Sequence, residues 1–230
     1  MQLLHDQSGS FTRLGRSYYW LNRYLFVGFF NLFGGVRAQG LHNIPRNGPV
    51  IFAANHKSLT DPWLIYVVSP RPYHSMASSE LFDIPLLGQY MTSLGAFAIK
   101  RGQADLGGLA RARQLLAAGS PILVFPEGRC STDDSHLEFQ KGVALLAVRD
   151  NVPIVPVAIC GSRNILPIGS YRPRRLPGGV LIEFLPPLTR EPQESVKTAT
   201  ERLSVLAREQ IASTYRQWRN SVACANEKLP

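Results

Sequence analysis

The sequence predicts an α/β fold: a single domain with a mixed, mostly parallel sheet flanked by helices. Three observations point there. Short apolar runs, "PVIFAAN", "PILVFP" and "VPIVPVAIC", recur along the chain, and segments with helical spacing separate them. These runs are continuously apolar and do not alternate, as befits strands covered on both faces. The length of 230 residues and the 45% hydrophobic content suffice for one core, and no linker rich in Pro, Gly or Ser divides it.

The elements follow in order. "YYWLNRYLFVGFFNLFGGV", Tyr18 to Val36, is the most apolar part of the chain. Its 19 residues match a membrane span in length but include Asn22, Arg23, Asn31 and three glycines. An arginine near the centre of a lone span costs about 3 kcal/mol. The aromatics Tyr18, Tyr19, Trp20, Tyr24, Phe26, Phe29, Phe30 and Phe33 suit a helix lying among lipid headgroups, the competing reading being a core helix with its aromatics turned inward. Residues 1–35 are therefore expected to form a membrane-interface segment and 36–230 the domain proper. No cleavage site of small residues follows the apolar stretch, so it does not read as a secretory signal. "VRAQGL" alternates like a strand and "NIPRNG" turns. "PVIFAAN" is a buried strand, and "PWLIYVVS" a helix that tolerates Pro62 in its first turn. "YHSMAS" and "GAFAIK" are strands enclosing short helices in "ELFDIPLLGQYMTSL". Asp105 caps a helix ending at Gly119, "PILVFP" is a strand, and Gln140 to Arg149 a helix. "VPIVPVAIC" and "GVLIEFLP" are strands, and Glu194 to about Trp218 is a long amphipathic helix.

The net charge of +9 is unevenly placed. Met1 to Pro49 holds five basic residues against one acid, and Gly161 to Gly179 holds four arginines and no acid. Such surfaces attract phosphate. Nucleic acid is not the expected partner, because the basic residues line no single helix and the aromatics do not interleave with them. Three scattered cysteines make no disulfide framework and fit a reducing compartment, and no cluster has metal-ligand spacing.

Function is concentrated at strand ends. "AANHKSLTDP" places His56 after a buried strand and Asp61 five residues on. Ser58 and Asp61 also match a helix-capping box, so the aspartate has a purely structural reading. Five helical residues turn roughly 500°, so the two side chains meet only if His56 stays in a loop. Then Asp61 could bond one imidazole nitrogen and leave the other as a general base. "GAFAIKRG" ends on Lys100 and Arg101, and "FPEGRCS" sets Glu127 and Arg129 around Gly128. A base, a carboxylate and guanidiniums at one rim suit an alcohol that carries a phosphate.

"NHKSLTD", "GAFAIKR", "FPEGRCS" and "VPIVPVAI", in this order, resemble the four motifs of the glycerolipid acyltransferases, nearest to the 1-acylglycerol-3-phosphate acyltransferases. The likeness covers Val36 to Leu188 and implies a glycerol-3-phosphate acyltransferase-like fold. It implies that His56, held by Asp61, deprotonates the sn-2 hydroxyl of a lysophospholipid acceptor as that hydroxyl attacks an acyl-CoA or acyl-carrier-protein thioester. Arg101 would bind the phosphate, and Glu127 with Gly128 would shape the acceptor site. No cofactor is implied beyond the thioester, and Cys130 would be a bystander. The setting would be the cytoplasmic face of a membrane, with anionic lipid as partner. Two departures stand out: Arg129 and Cys130 occupy the usual Thr-Arg of the third motif, and Ala98 replaces an aromatic in the second. Either Arg129 serves in place of the usual arginine, or Arg101 carries the phosphate alone. The same chemistry on a lyso-ornithine lipid, lysophosphatidylethanolamine or glycerol-3-phosphate is an alternative, as is a non-catalytic lipid-binding module.

Overall fold

The computed structural model describes residues 3–100, 105–131, 138–167, 169–170 and 172–226. In chain order its helices and strands are α1 (Arg13–Leu32), β1 (Val36–Gln39), β2 (Ile51–Ala54), α2 (Asp61–Val68), β3 (His74–Ser78), α3 (Leu87–Ser93), β4 (Phe97–Ile99) and α4 (Leu106–Ala117). They continue with β5 (Ile122–Val124), α5 (Lys141–Asp150), β6 (Ile154–Cys160), α6 (Ser162–Ile165), β7 (Val180–Phe184) and α7 (Val196–Asn226). Among the described residues seven strands form one sheet, ordered β1-β7-β6-β2-β5-β3-β4. Every pairing is parallel except β6 with β7.

The apolar runs occupy the middle of this sheet for a simple reason. All residues of β2, β5 and β6 are buried, so they need cover on both faces. Edge strand β1 alternates between half-buried and exposed residues, as a strand with one wet face must. Asp105 caps α4 as its sequence predicts, accepting from Gly108 N at 3.0 Å. Helix α7 runs past Trp218, and α6 has no counterpart in the sequence reading.

Helix α1 divides its aromatics between two roles. Tyr19 and Phe30 are buried in the core, and Phe26 stacks on Trp63 of α2 at 4.7 Å. Tyr24, Phe29 and the leucines at 14, 21, 25 and 32 are exposed. The expectation that all eight aromatics face headgroups therefore fails for those packed on α2. Arg23 is accommodated because its Nε donates to Val67 O at 2.7 Å and its guanidinium lies over Trp20. Among the described residues no helix is long and apolar enough to cross a membrane.

Candidate active site

Strands β2 and β5 are parallel neighbours, so the loops after Ala54 and Val124 leave the sheet at one rim. Asn55 sets the exit point. Its side chain donates to Ile159 O at 3.0 Å and accepts from Ile159 N at 2.7 Å, which clamps the end of β2 to β6. The chain then turns, and His56 Nδ1 lies 2.9 Å from Asp61 Oδ2. His56 is 6% exposed and Asp61 fully buried.

The structural and chemical readings of Asp61 coincide on one oxygen. Oδ2 also accepts from Lys57 N at 2.7 Å and from Ser58 N at 2.8 Å, which closes the loop ahead of α2. The capping box that the sequence suggests is not formed, because Thr60 is the N-cap and Asp61 the first helical residue. An oxygen gathering three donors acts as a carboxylate acceptor, so His56 Nδ1 carries the proton. Nε2 is left with the lone pair a base requires. The Phe125 ring stacks on the imidazole at 4.1 Å and fixes its plane.

The "FPEGRCS" loop crosses behind His56. Glu127 Oε1 accepts from His56 N at 3.3 Å, and Ser131 N donates to His56 O at 2.8 Å. Gly128 has φ +70°, and a Cβ there would stand 2.6 Å from the Gln140 amide, so the tight path that the sequence suggests is present. Lys57, 1% exposed, extends beneath the site to donate to Ser131 Oγ at 3.1 Å, with Nζ 5.6 Å from the Tyr215 ring centre. Asn55, Lys57, Phe125 and Ser131 are parts of this assembly that sequence reasoning missed. The apolar run ending at Phe125 and the buried-strand position of Asn55 were available signals, whereas a lysine gives none.

A cavity of about 400 Å³ opens beside His56. Its walls are mostly apolar: Trp63, Tyr73, Met76, Met91 and Phe125 among them, with Leu81, Leu87 and Leu94 from the segment "ELFDIPLLGQYMTSL". Cys130 also lines it, whereas Glu127, Gly128 and Arg129 do not. Arg129 is exposed, and Glu127 is turned to the backbone of His56. Arg101, expected at the acceptor phosphate, lies outside the described residues. The structure thus joins His56 to Asp61 and to the "FPEG" loop. Among the described residues no lysine or arginine lines the cavity.

Comparisons with known proteins bear on the family and the fold. A family model described as acyltransferase matches residues 35–160. A 1-acyl-sn-glycerol-3-phosphate acyltransferase of Chlamydomonas reinhardtii is 34% identical over 154 residues, 64% of this chain and 46% of that protein. A chloroplastic protein of the same description from Brassica napus is 31% identical over 135 residues, 57% of this chain and 39% of its own length. The matched stretch thus spans less than half of these curated relatives. The crystal structure of the 1-acyl-sn-glycerophosphate acyltransferase PlsC from Thermotoga maritima gives a TM-score of 0.67 at 27% identity, covering 87% of this chain and 83% of that one. This chain belongs to the acyltransferase family, among relatives named as 1-acyl-sn-glycerol-3-phosphate acyltransferases.

Proposed function

We propose that this protein moves an acyl group from an acyl-CoA or acyl-carrier-protein thioester to the sn-2 hydroxyl of 1-acylglycerol-3-phosphate, giving phosphatidic acid. The supporting observation is His56, held through Nδ1 by Asp61 and lining an apolar cavity large enough for an alkyl chain. His56 Nε2 takes the hydroxyl proton as the oxygen attacks the thioester carbonyl carbon. The tetrahedral adduct collapses by breaking the C–S bond, and the imidazolium returns its proton to the departing thiolate. Asp61 holds the ring through both transfers and compensates its transient charge. Arg101 is assigned to the acceptor phosphate, with Arg129 on the exposed side of the third-motif loop. Glu127 and Gly128 fix the loop that borders the acceptor.

His56→Ala should fold normally and lose about 10²–10⁴-fold in thioester consumption with lysophosphatidate, followed by free-thiol release. Turnover close to the parent's would defeat the reading. A panel of lysophosphatidate, lysophosphatidylethanolamine, lyso-ornithine lipid and glycerol-3-phosphate, each with one donor, tests the acceptor.

The reaction is placed at the cytoplasmic face of a membrane. Helix α1 presents Leu21, Tyr24, Leu25 and Leu32 to solvent, with Arg13 and Arg16 near its start. The loop bearing exposed Arg172, Arg174 and Arg175 packs at its other end, where Leu176 N donates to Phe33 O at 2.9 Å. An apolar stripe between basic clusters suits an anionic leaflet. Flotation with phosphatidylglycerol vesicles should retain the protein and lose it when Leu21 and Leu25 become aspartate.

A further inference from the structure

One wall of the cavity ends in a strained turn that the acyl-transfer chemistry does not require. Leu86 has φ +65° and ψ −40°, and Leu87 N donates to Pro85 O at 2.8 Å, closing a three-residue γ-turn. That conformation is rare and unfavourable for a residue with a side chain. The other non-glycine residue with positive φ among those described, Asn151, closes α5 in the left-handed form that asparagine tolerates. Leu86 has no such excuse.

The consequence of the turn is where it puts apolar side chains. Leu86 is 77% exposed, while the next residue, Leu87, lines the cavity. Ile84 is also exposed, and Leu59 on the His56–Asp61 loop lines the cavity while remaining 59% exposed. The apolar interior of the cavity therefore continues onto the surface.

That surface adjoins α1. Tyr90 Oη donates to Asn22 Oδ1 at 2.9 Å, and Ser93 Oγ to Tyr18 Oη at 3.3 Å. These bonds set α3 beside α1, whose Leu25 and Phe29 are exposed. Phe26, Trp63 and Tyr90 stack in series between the two helices, with centroids 4.7 and 5.9 Å apart. Arginines stand at both ends of α1, which matches an anionic leaflet with its hydrocarbon facing the middle.

We propose that the Ile84–Pro85–Leu86 turn inserts into the hydrocarbon of an anionic leaflet at the cavity mouth and passes acyl chains from the bilayer to the cavity without exposure to water. This rests on the acyltransferase reading above. The turn leaves Leu87 on the cavity wall and Leu86 outside it.

Leu86→Gly isolates the effect, since glycine adopts positive φ freely and the fold should be no less stable. Two presentations of substrate are compared. One is vesicles of phosphatidylglycerol and phosphatidylethanolamine holding long-chain lysophosphatidate; the other is short-chain lysophosphatidate dissolved as monomer. With Leu86→Gly, kcat/KM on vesicles should fall about tenfold, the change expected from withdrawing one leucine from hydrocarbon. The monomer rate should stay within about twofold, and Leu86→Trp should restore the vesicle rate. Unchanged vesicle turnover, or equal loss on both substrates, would overturn the proposal. If the parent protein turns over neither substrate, the acyltransferase reading fails. Retention on the same vesicles then decides insertion alone: weaker flotation of Leu86→Gly supports it and equal flotation refutes it.

Discussion

Asp61 Oδ2 accepts from His56 Nδ1 and from two backbone N–H groups, so one atom both aims the imidazole and holds the loop that leads into α2. The two duties separate by mutation. Asp61→Asn keeps an oxygen for the Lys57 and Ser58 N–H groups, but a neutral amide cannot balance an imidazolium. Its NH₂ can also hold the wrong tautomer. Turnover should fall about 10²–10⁴-fold with the melting temperature nearly unchanged. Asp61→Ala leaves both N–H groups buried without acceptors, at about 1–3 kcal/mol each, and should melt well below the parent as well. Equal melting of the two variants would show that the carboxylate does not hold the loop. Lys57 lies one position from the histidine, yet no sequence rule would bury it. Its place depends on Ser131 and on Tyr215 of α7, residues 74 and 158 positions away whose approach only the folded chain reveals.

The strands were legible because their composition left little choice. Ile51–Ala54 and Ile154–Cys160 are apolar on both faces and had to be interior. The antiparallel β6–β7 pairing was not legible, since hydrophobic pattern carries no sign of strand direction. Nor was the division of α1: an aromatic-rich apolar face reads alike whether lipid or protein covers it. The segment walling the cavity was marked by its leucines, and α3 with the preceding turn does supply Leu81, Leu87 and Met91. Chain-length preference should accordingly reside there. Met91→Trp fills apolar volume next to Leu94 and Ala96, so it should shift preference toward shorter acyl chains, read by mass spectrometry of products from mixed thioesters. An unaltered product profile would place the chain elsewhere. Arg129 was legible as charge but not as position, because a strand end does not determine which way a following arginine turns.

The two rims of the sheet carry different burdens. The carboxyl ends hold His56 and its partners, whereas the amino end of β3 is covered by residues 3–12, a segment without any helix or strand signal. There Phe11 stacks on His74 at 4.6 Å, His5 lies 5.9 Å from the same ring, and Arg111 donates to Ser8 O at 3.1 Å. Burial pushes His74 down to about 4, with His5 and Arg111 adding to the effect, while the bond to Gly95 O and the charge of Asp6 oppose it. Burial likewise lowers His5. A base held neutral in the fold but free to protonate when unfolded makes the unfolded chain the better proton acceptor at mildly acid pH. Stability contributed by His74 is therefore complete above pH 6.5 and is lost as pH falls from 6.5 toward 4, by roughly 3 kcal/mol over the whole window. Much of that loss falls between pH 6.5 and 5. Urea midpoints measured across that interval should decline for the parent protein. For His74→Gln, whatever its cost at pH 7.5, the decline should be shallower. A parent midpoint that holds steady from pH 7 to 5 would mean that the N-terminal loop does not keep His74 dry in solution.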